Sequence, residues 1–152
     1  MSQNLVDLTS RAFSDSLAAR TATPGGGSLA ALMVADAAAL LCMVARFSTG
    51  EAFAEVSSAM EARCAAGERV RQRALELVDL DARSYDAVSA AFKLPKADDE
   101  QKAVRSAAIQ TASKGALETP LETMERACEV LECLVATTAG SNKNLVTDLA
   151  SG

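Results

Sequence analysis

The stretch VRQRALELVDLDARSYDAVSAAF, residues 70–92, decides the fold. Val70, Ala74, Leu77, Asp81, Ser84, Val88 and Ala91 follow one another in alternating steps of four and three, the spacing of one face of an α-helix. Tyr85 and Phe92 flank that seam. Lys93-Leu94-Pro95-Lys96 ends it, because Pro95 disfavours helical backbone at the residue before it. One seam residue is not apolar: Asp81 sits where a bare charge is costly. Such a carboxylate is either paired structurally or tuned for proton transfer, and spacing leaves both open. Asp79, two residues earlier, points elsewhere on the helix and reads as solvated.

Upstream, this helix is expected to begin near Ala52, after the break at Ser48-Thr49-Gly50. Leu5, Leu8, Ala12, Phe13, Leu17 and Ala18 predict an amphipathic first helix over residues 2–21. Thr23-Pro24-Gly25-Gly26-Gly27-Ser28 stops it, with Ser28 expected to cap a second helix running to about Arg46. Within that second helix, 29–44 is apolar except for Asp36 and has about the length of a short membrane span. Its alanine content and mid-way carboxylate favour a central helix buried on all sides.

Downstream, Asp98 and Asp99 suit the first turn of a fourth helix. It is expected to reach about Leu117, with Val104, Ala108, Thr111, Ala112 and Gly115 inward. Thr119-Pro120-Leu121-Glu122 has the form of a capping box with Pro at the first helical position. That predicts a fifth helix from Pro120 to about Thr138, packed along Leu121, Met124, Cys128, Leu131 and Val135. Gly140, Ser141 and Asn142 make a turn before a short last segment. No alternating strand pattern, internal repeat or low-complexity linker is visible. The fold class is therefore all-α, an antiparallel helical bundle with one long helix, in a single domain over 1–152.

Composition agrees. Half of the 152 residues are hydrophobic (49%), yet aromatics are 3% and His and Trp are absent, as in an alanine-rich packed helical protein. A net charge of −5 argues against nucleic-acid binding, which needs a basic stripe. Cys42, Cys64, Cys128 and Cys133 form no CxxC pair; without His the usual zinc sets are missing, and the thiols read as reduced side chains in helix interfaces. The N-terminus lacks the regions of a signal peptide, so a cytoplasmic location is expected. General acid or base work must fall on Asp, Glu, Lys, Tyr or Cys, which excludes serine–histidine and cysteine–histidine hydrolases.

Besides Asp81, three groups could carry chemistry. Gly25, Gly26, Gly27 and Ser28 could turn backbone N–H groups toward an anion at a helix start, or simply let two helices cross closely. The run lacks the Lys of a nucleotide-binding phosphate loop. Asn142, Asn144, Thr147 and Asp148 offer amides, a hydroxyl and a carboxylate, or are a capping and turn cluster. Lys93 and Lys96 could meet an anionic tail, or be a solvated helix end.

The order of these pieces resembles the cyclodeaminase/cyclohydrolase family, which includes the deaminase domain of formiminotransferase-cyclodeaminase and bacterial methenyltetrahydrofolate cyclohydrolases. Thr23-Pro24-Gly25-Gly26-Gly27-Ser28-Leu29-Ala30-Ala31 looks like its glycine-rich signature. Asp79-Leu80-Asp81-Ala82 with Tyr85-Asp86-Ala87-Val88 resembles its acidic stretch, and Lys93-Leu94-Pro95-Lys96 its LPK turn. Ile109-Gln110 and Thr119-Pro120-Leu121-Glu122 resemble later helix segments. Asn142, Thr147, Asp148 and Leu149 resemble its asparagine-rich loop.

The resemblance implies a homodimer that binds a tetrahydrofolate derivative as substrate; no permanently bound cofactor and no metal are expected, and charge and composition point to neither nucleic acid nor membrane as partner. It implies ammonia loss from 5-formiminotetrahydrofolate with ring closure, or hydrolysis of 5,10-methenyltetrahydrofolate. Asp81 would move protons. Asp148 would move protons or, with Asn142 and Asn144, recognise the pterin. Gly25 to Ser28 with Lys93 and Lys96 would meet the anionic tail. There are departures: Arg46 stands where an Asn is frequent, Gly50 is followed by Glu51 rather than basic residues, and Asp36 replaces a small residue. The family continues for a helix or two beyond the position of Asp148, whereas this sequence stops at Gly152. The alternative is therefore a non-catalytic helical binding protein derived from that family.

Overall fold

The seam at 70–92 does form a helix, and its apolar members face inward. The computed structural model describes residues 4–152. Among these, five α-helices and no strand are present: α1 (Ser10–Ala18), α2 (Gly26–Arg46), α3 (Ser57–Phe92), α4 (Asp99–Thr138) and α5 (Val146–Ser151). Single 3-10 turns at Leu5–Asp7, Glu51–Phe53 and Lys143–Leu145 precede α1, α3 and α5. Val70, Ala74, Leu77 and Ala91 of α3 are buried, while Asp81, Ser84 and Val88 are half-buried.

The chain divides into two compact units. One holds the described residues through Ala30 together with Glu76–Glu122, and the other holds Ala31–Leu75 with Thr123–Gly152.

In the first unit, the expected helix over 2–21 is instead a 3-10 turn followed by α1; Ser2 and Gln3 lie outside the described residues. Thr9 takes extended backbone and its hydroxyl accepts the Ala12 N–H at 3.2 Å, so a side-chain cap restarts the helix there. Asp79 is not solvated. It is 8% exposed and its Oδ1 accepts the Leu5 N–H at 2.6 Å. The carboxylate satisfies a backbone donor 74 residues away in sequence, a partner that periodicity cannot reveal.

The turn between α3 and α4 is pinned from both sides. Arg105 donates from Nε (3.3 Å) and Nη2 (3.2 Å) to the Phe92 carbonyl, and its guanidinium lies 5.5 Å from the Phe92 ring centre. Asp98 Oδ1 accepts the Gln101 N–H at 2.8 Å, and Gln101 Oε1 accepts the Ala97 N–H at 3.0 Å. This reciprocal arrangement satisfies donors at the start of α4.

The capping box expected at Thr119–Glu122 does not form. Pro120 lies inside α4, which runs unbroken for 40 residues, so there are two long helices rather than one. Proline removes one N–H and costs about 3 kcal/mol in a helix interior; the turns on both sides are rich in Ala, Leu, Glu, Met and Arg, good helix formers. The apolar faces foreseen for this region are also revised. Val104, Leu117, Leu121, Met124, Leu131 and Val135 are each more than half exposed, and Thr111, Gly115 and Cys128 are exposed as well. The buried positions are Thr119, Thr123, Val130, Leu134 and Thr137. The helix carries two stripes, and the smaller side chains pack inward. Periodicity finds both stripes but does not choose between them.

The core of the second unit gathers Ala38, Leu41 and Val44 of α2, Val70 of α3, Val130 and Leu134 of α4, and Leu149 of α5. α2 is long and apolar enough to cross a membrane by length and composition. It is nevertheless two-faced: Ala31, Ala35, Ala38, Leu41, Cys42, Val44 and Ala45 are buried, while Met33, Asp36 and Arg46 are exposed. The expectation of burial on all sides is thus corrected. Gly67 of α3 permits a close approach to α2, since a Cβ there would come 2.7 Å from Cys42 Sγ.

Cys42, buried and beside Cys64, has its thiol pushed up to about 12, by burial first and the neighbouring thiol second. Glu68 is held below the usual carboxylate range by hydrogen bonds from Arg71 and then Arg46. All four cysteines are free; Cys128 is exposed rather than in an interface.

Candidate functional site

The first unit brings together the glycine run and Asp81. Pro24 follows a cis peptide bond, and α2 begins at Gly26, two residues before the expected cap. Ser28 is therefore inside the first helical turn. Its side chain is fully buried, and its hydroxyl donates to Asp81 Oδ2 at 3.0 Å, across 53 residues of sequence. Gly27 lies directly beneath the same carboxylate: a Cβ there would overlap Asp81 Oδ1. Gly26 has open space at its Cβ position, and Gly25 only an ordinary contact to the Ala22 carbonyl at 3.9 Å. So Gly27 is the glycine that close approach requires.

α3 fixes the other side of this seat. Leu77 and Val78 are buried one turn before Asp81, and the Ser84 hydroxyl donates to the Asp81 carbonyl at 2.8 Å. The Asp81 side chain is half-buried, so one part is packed and another reaches solvent. The carboxylate also faces the first turn of α2, where unpaired N–H groups concentrate partial positive charge. Lys93 and Lys96, past the end of α3, are exposed and make no ion pair among the described residues.

The second unit holds Asn142, Asn144, Thr147 and Asp148. Asn142 Oδ1 accepts the Asn144 N–H at 3.1 Å, a local side-chain turn. The Asn142 N–H donates to Ser48 Oγ at 2.9 Å, while the buried Ser48 hydroxyl donates to the Val44 carbonyl at 2.8 Å. Sequence reasoning treated Ser48 as part of a helix break; its two hydrogen bonds make it the clasp of the 142–148 loop. Gly140 supports the same loop with φ +86, and a Cβ there would come 2.9 Å from Val56 Cγ1. Asn144 and Thr147 are exposed. Asp148 is half-buried in the first turn of α5 and its carboxylate has no hydrogen bond or ion pair among the described residues. Among the described residues no three His, Cys, Asp or Glu side chains gather as a metal-holding group.

What this arrangement offers is a carboxylate with a defined orientation, seated on a glycine run in an all-helical chain, in a protein without His. That is the outline of a carboxylate-dependent helical protein. The chain belongs to the formiminotransferase-cyclodeaminase family, which it matches over residues 9–152. It is 35% identical over 141 residues to the methenyltetrahydrofolate cyclohydrolase of Methylorubrum extorquens, covering 92% of this chain and 68% of that protein. It is 34% identical over 148 residues to the formimidoyltransferase-cyclodeaminase of Rattus norvegicus; there it covers 97% of this chain but 27% of the rat protein. Among solved structures it is similar to the formiminotetrahydrofolate cyclodeaminase of Thermotoga maritima, with TM-score 0.80, 28% identity, and coverage of 94% of this chain and 68% of that one.

Proposed function

We propose that this chain is a folate one-carbon enzyme of the cyclodeaminase or cyclohydrolase kind, with Asp81 as the group that moves protons. Its relatives by sequence and structure carry those activities in their names, which weighs against the non-catalytic reading. The observation that carries the assignment is the seat itself: a half-buried carboxylate held by a buried hydroxyl at 3.0 Å.

The chemistry needs one such group. In hydrolysis, water adds to the carbon bridging N5 and N10 of the methenyl cation. A carboxylate takes the proton that water loses and returns it to N5 as the C–N5 bond breaks, with one proton released overall. In deamination, N10 attacks the formimino carbon and ammonia leaves; the departing nitrogen takes the proton of N10 and one more from solvent, leaving the methenyl cation. One carboxyl that alternates between base and acid serves either course.

The backbone of Gly25, Gly26 and Gly27, together with Lys93 and Lys96, is proposed for the anionic benzoyl-glutamate tail. Asn142, Asn144 and Asp148 are proposed for pterin recognition, with Asp148 also suited to proton transfer. We further propose a homodimer of antiparallel bundles, supported by the exposed apolar stripe of α4 at Leu117, Leu121, Met124, Leu131 and Val135, and a cytoplasmic location.

The test is calorimetric titration with 5,10-methenyltetrahydrofolate, with its absorbance followed in the same sample. Binding with protein-dependent loss of the chromophore is expected. Absence of binding at millimolar ligand would overturn the folate reading.

A further inference from the structure

We propose that Ser28 is a positioning residue for Asp81 and divides the work of its carboxylate: Oδ2 is anchored, and Oδ1 is the oxygen that exchanges the proton. The inference rests on the reading of Asp81 as the proton-moving group.

The first support is the burial of Ser28. A hydroxyl with no exposed surface cannot meet a ligand arriving from solvent, and its one described partner is Asp81 Oδ2 at 3.0 Å. Its place in the first turn of α2, rather than at the cap, ties it to a rigid element. The second support is independent of that hydrogen bond. Gly27 makes room for the whole carboxylate: a Cβ there would overlap Oδ1 and come 2.5 Å from Cγ and 2.7 Å from Oδ2. No described group donates to Oδ1. The carboxylate thus has one oxygen engaged by a hydroxyl of the protein and one with no donor among the described residues, and the second is the one assigned to proton exchange.

The terminal torsion of an Asp side chain is broad and roughly two-fold. Without an anchor, the carboxylate plane would rotate and the two oxygens exchange. Proton transfer is sensitive to such errors, and a misplacement of about 1 Å can cost on the order of 100-fold in rate. Ser28 fixes the plane, and Gly27 supplies the room in which that orientation fits. The Gly27-Ser28 pair of the glycine run is therefore a carboxylate seat, and its side-chain chemistry is spent inside the protein.

The experiment is a double-mutant cycle on the full chain, with kcat and KM for 5,10-methenyltetrahydrofolate measured for wild type, S28A, D81N and the double variant. S28C is the second single variant, filling the same space with a weak donor. Far-UV circular dichroism checks folding. We expect S28A to lower kcat by roughly 10- to 100-fold with KM unchanged, and to lower it no further in the D81N background. Full activity in S28A and S28C beside a crippled D81N would overturn the positioning role while leaving Asp81 in place. Equal losses from S28A in both backgrounds would also overturn it. Near-normal turnover in D81N would remove the reading of Asp81 itself.

Discussion

Asp81 and Asp148 are both half-buried carboxylates on helices, yet their surroundings differ. Asp81 is tied to a distant part of the chain, with the Ser28 hydroxyl on Oδ2 and Gly27 beneath the carboxylate. Asp148 has no such tie, and its neighbour Asn142 spends its side-chain oxygen on its own loop, on the Asn144 N–H. A group oriented by long-range contacts comes ready for proton transfer. A group in a locally folded loop is better suited to recognition, where a ligand completes the geometry. The difference teaches which acid to test first.

The largest effect is expected from D81N, with turnover reduced by about 10²- to 10⁴-fold, against a loss of roughly tenfold in D148N expressed chiefly in KM. Steady-state kinetics of both variants checks this, and equal losses in kcat would break the comparison. Next in size is G27A. The added methyl must displace the Asp81 carboxylate or shift α2, so turnover should fall at least about tenfold, with a stability cost of about 1–3 kcal/mol from overpacking. Denaturant melts and kinetics of the same preparation separate the two. A G27A protein with wild-type turnover would show that the seat is unimportant.

The smallest effect is expected from S48A. It removes the acceptor of the Asn142 N–H and should cost about 1 kcal/mol by thermal melting, with KM raised more than kcat is lowered. A change confined to kcat would place the loop in the chemistry and blur the distinction between the two regions.

Much of this protein is legible in its sequence because helices are local. The seam at Val70 to Ala91, the stop at Pro95 and the helix start at Asp98 follow from residue spacing and backbone chemistry. So do the end of α2 at Arg46 and the turn at Gly140. The inward Asp81 and the glycine run stand out for the same reason, since each breaks a local pattern. The family resemblance rests on the order of these short segments.

What required the tertiary structure is every decision that depends on a partner far away in sequence. Asp79 turned from a solvated residue into a buried anchor because the Leu5 N–H meets it. Ser28 turned from a cap into the donor for Asp81. α4 ran through Pro120, and its larger apolar stripe faced outward, because the smaller stripe at Thr123, Val130, Leu134 and Thr137 was the one that packed. Sequence periodicity specifies which residues share a face of a helix. Which face is covered, and which polar atoms are paired, is determined by the close packing of elements that the chain brings together only on folding.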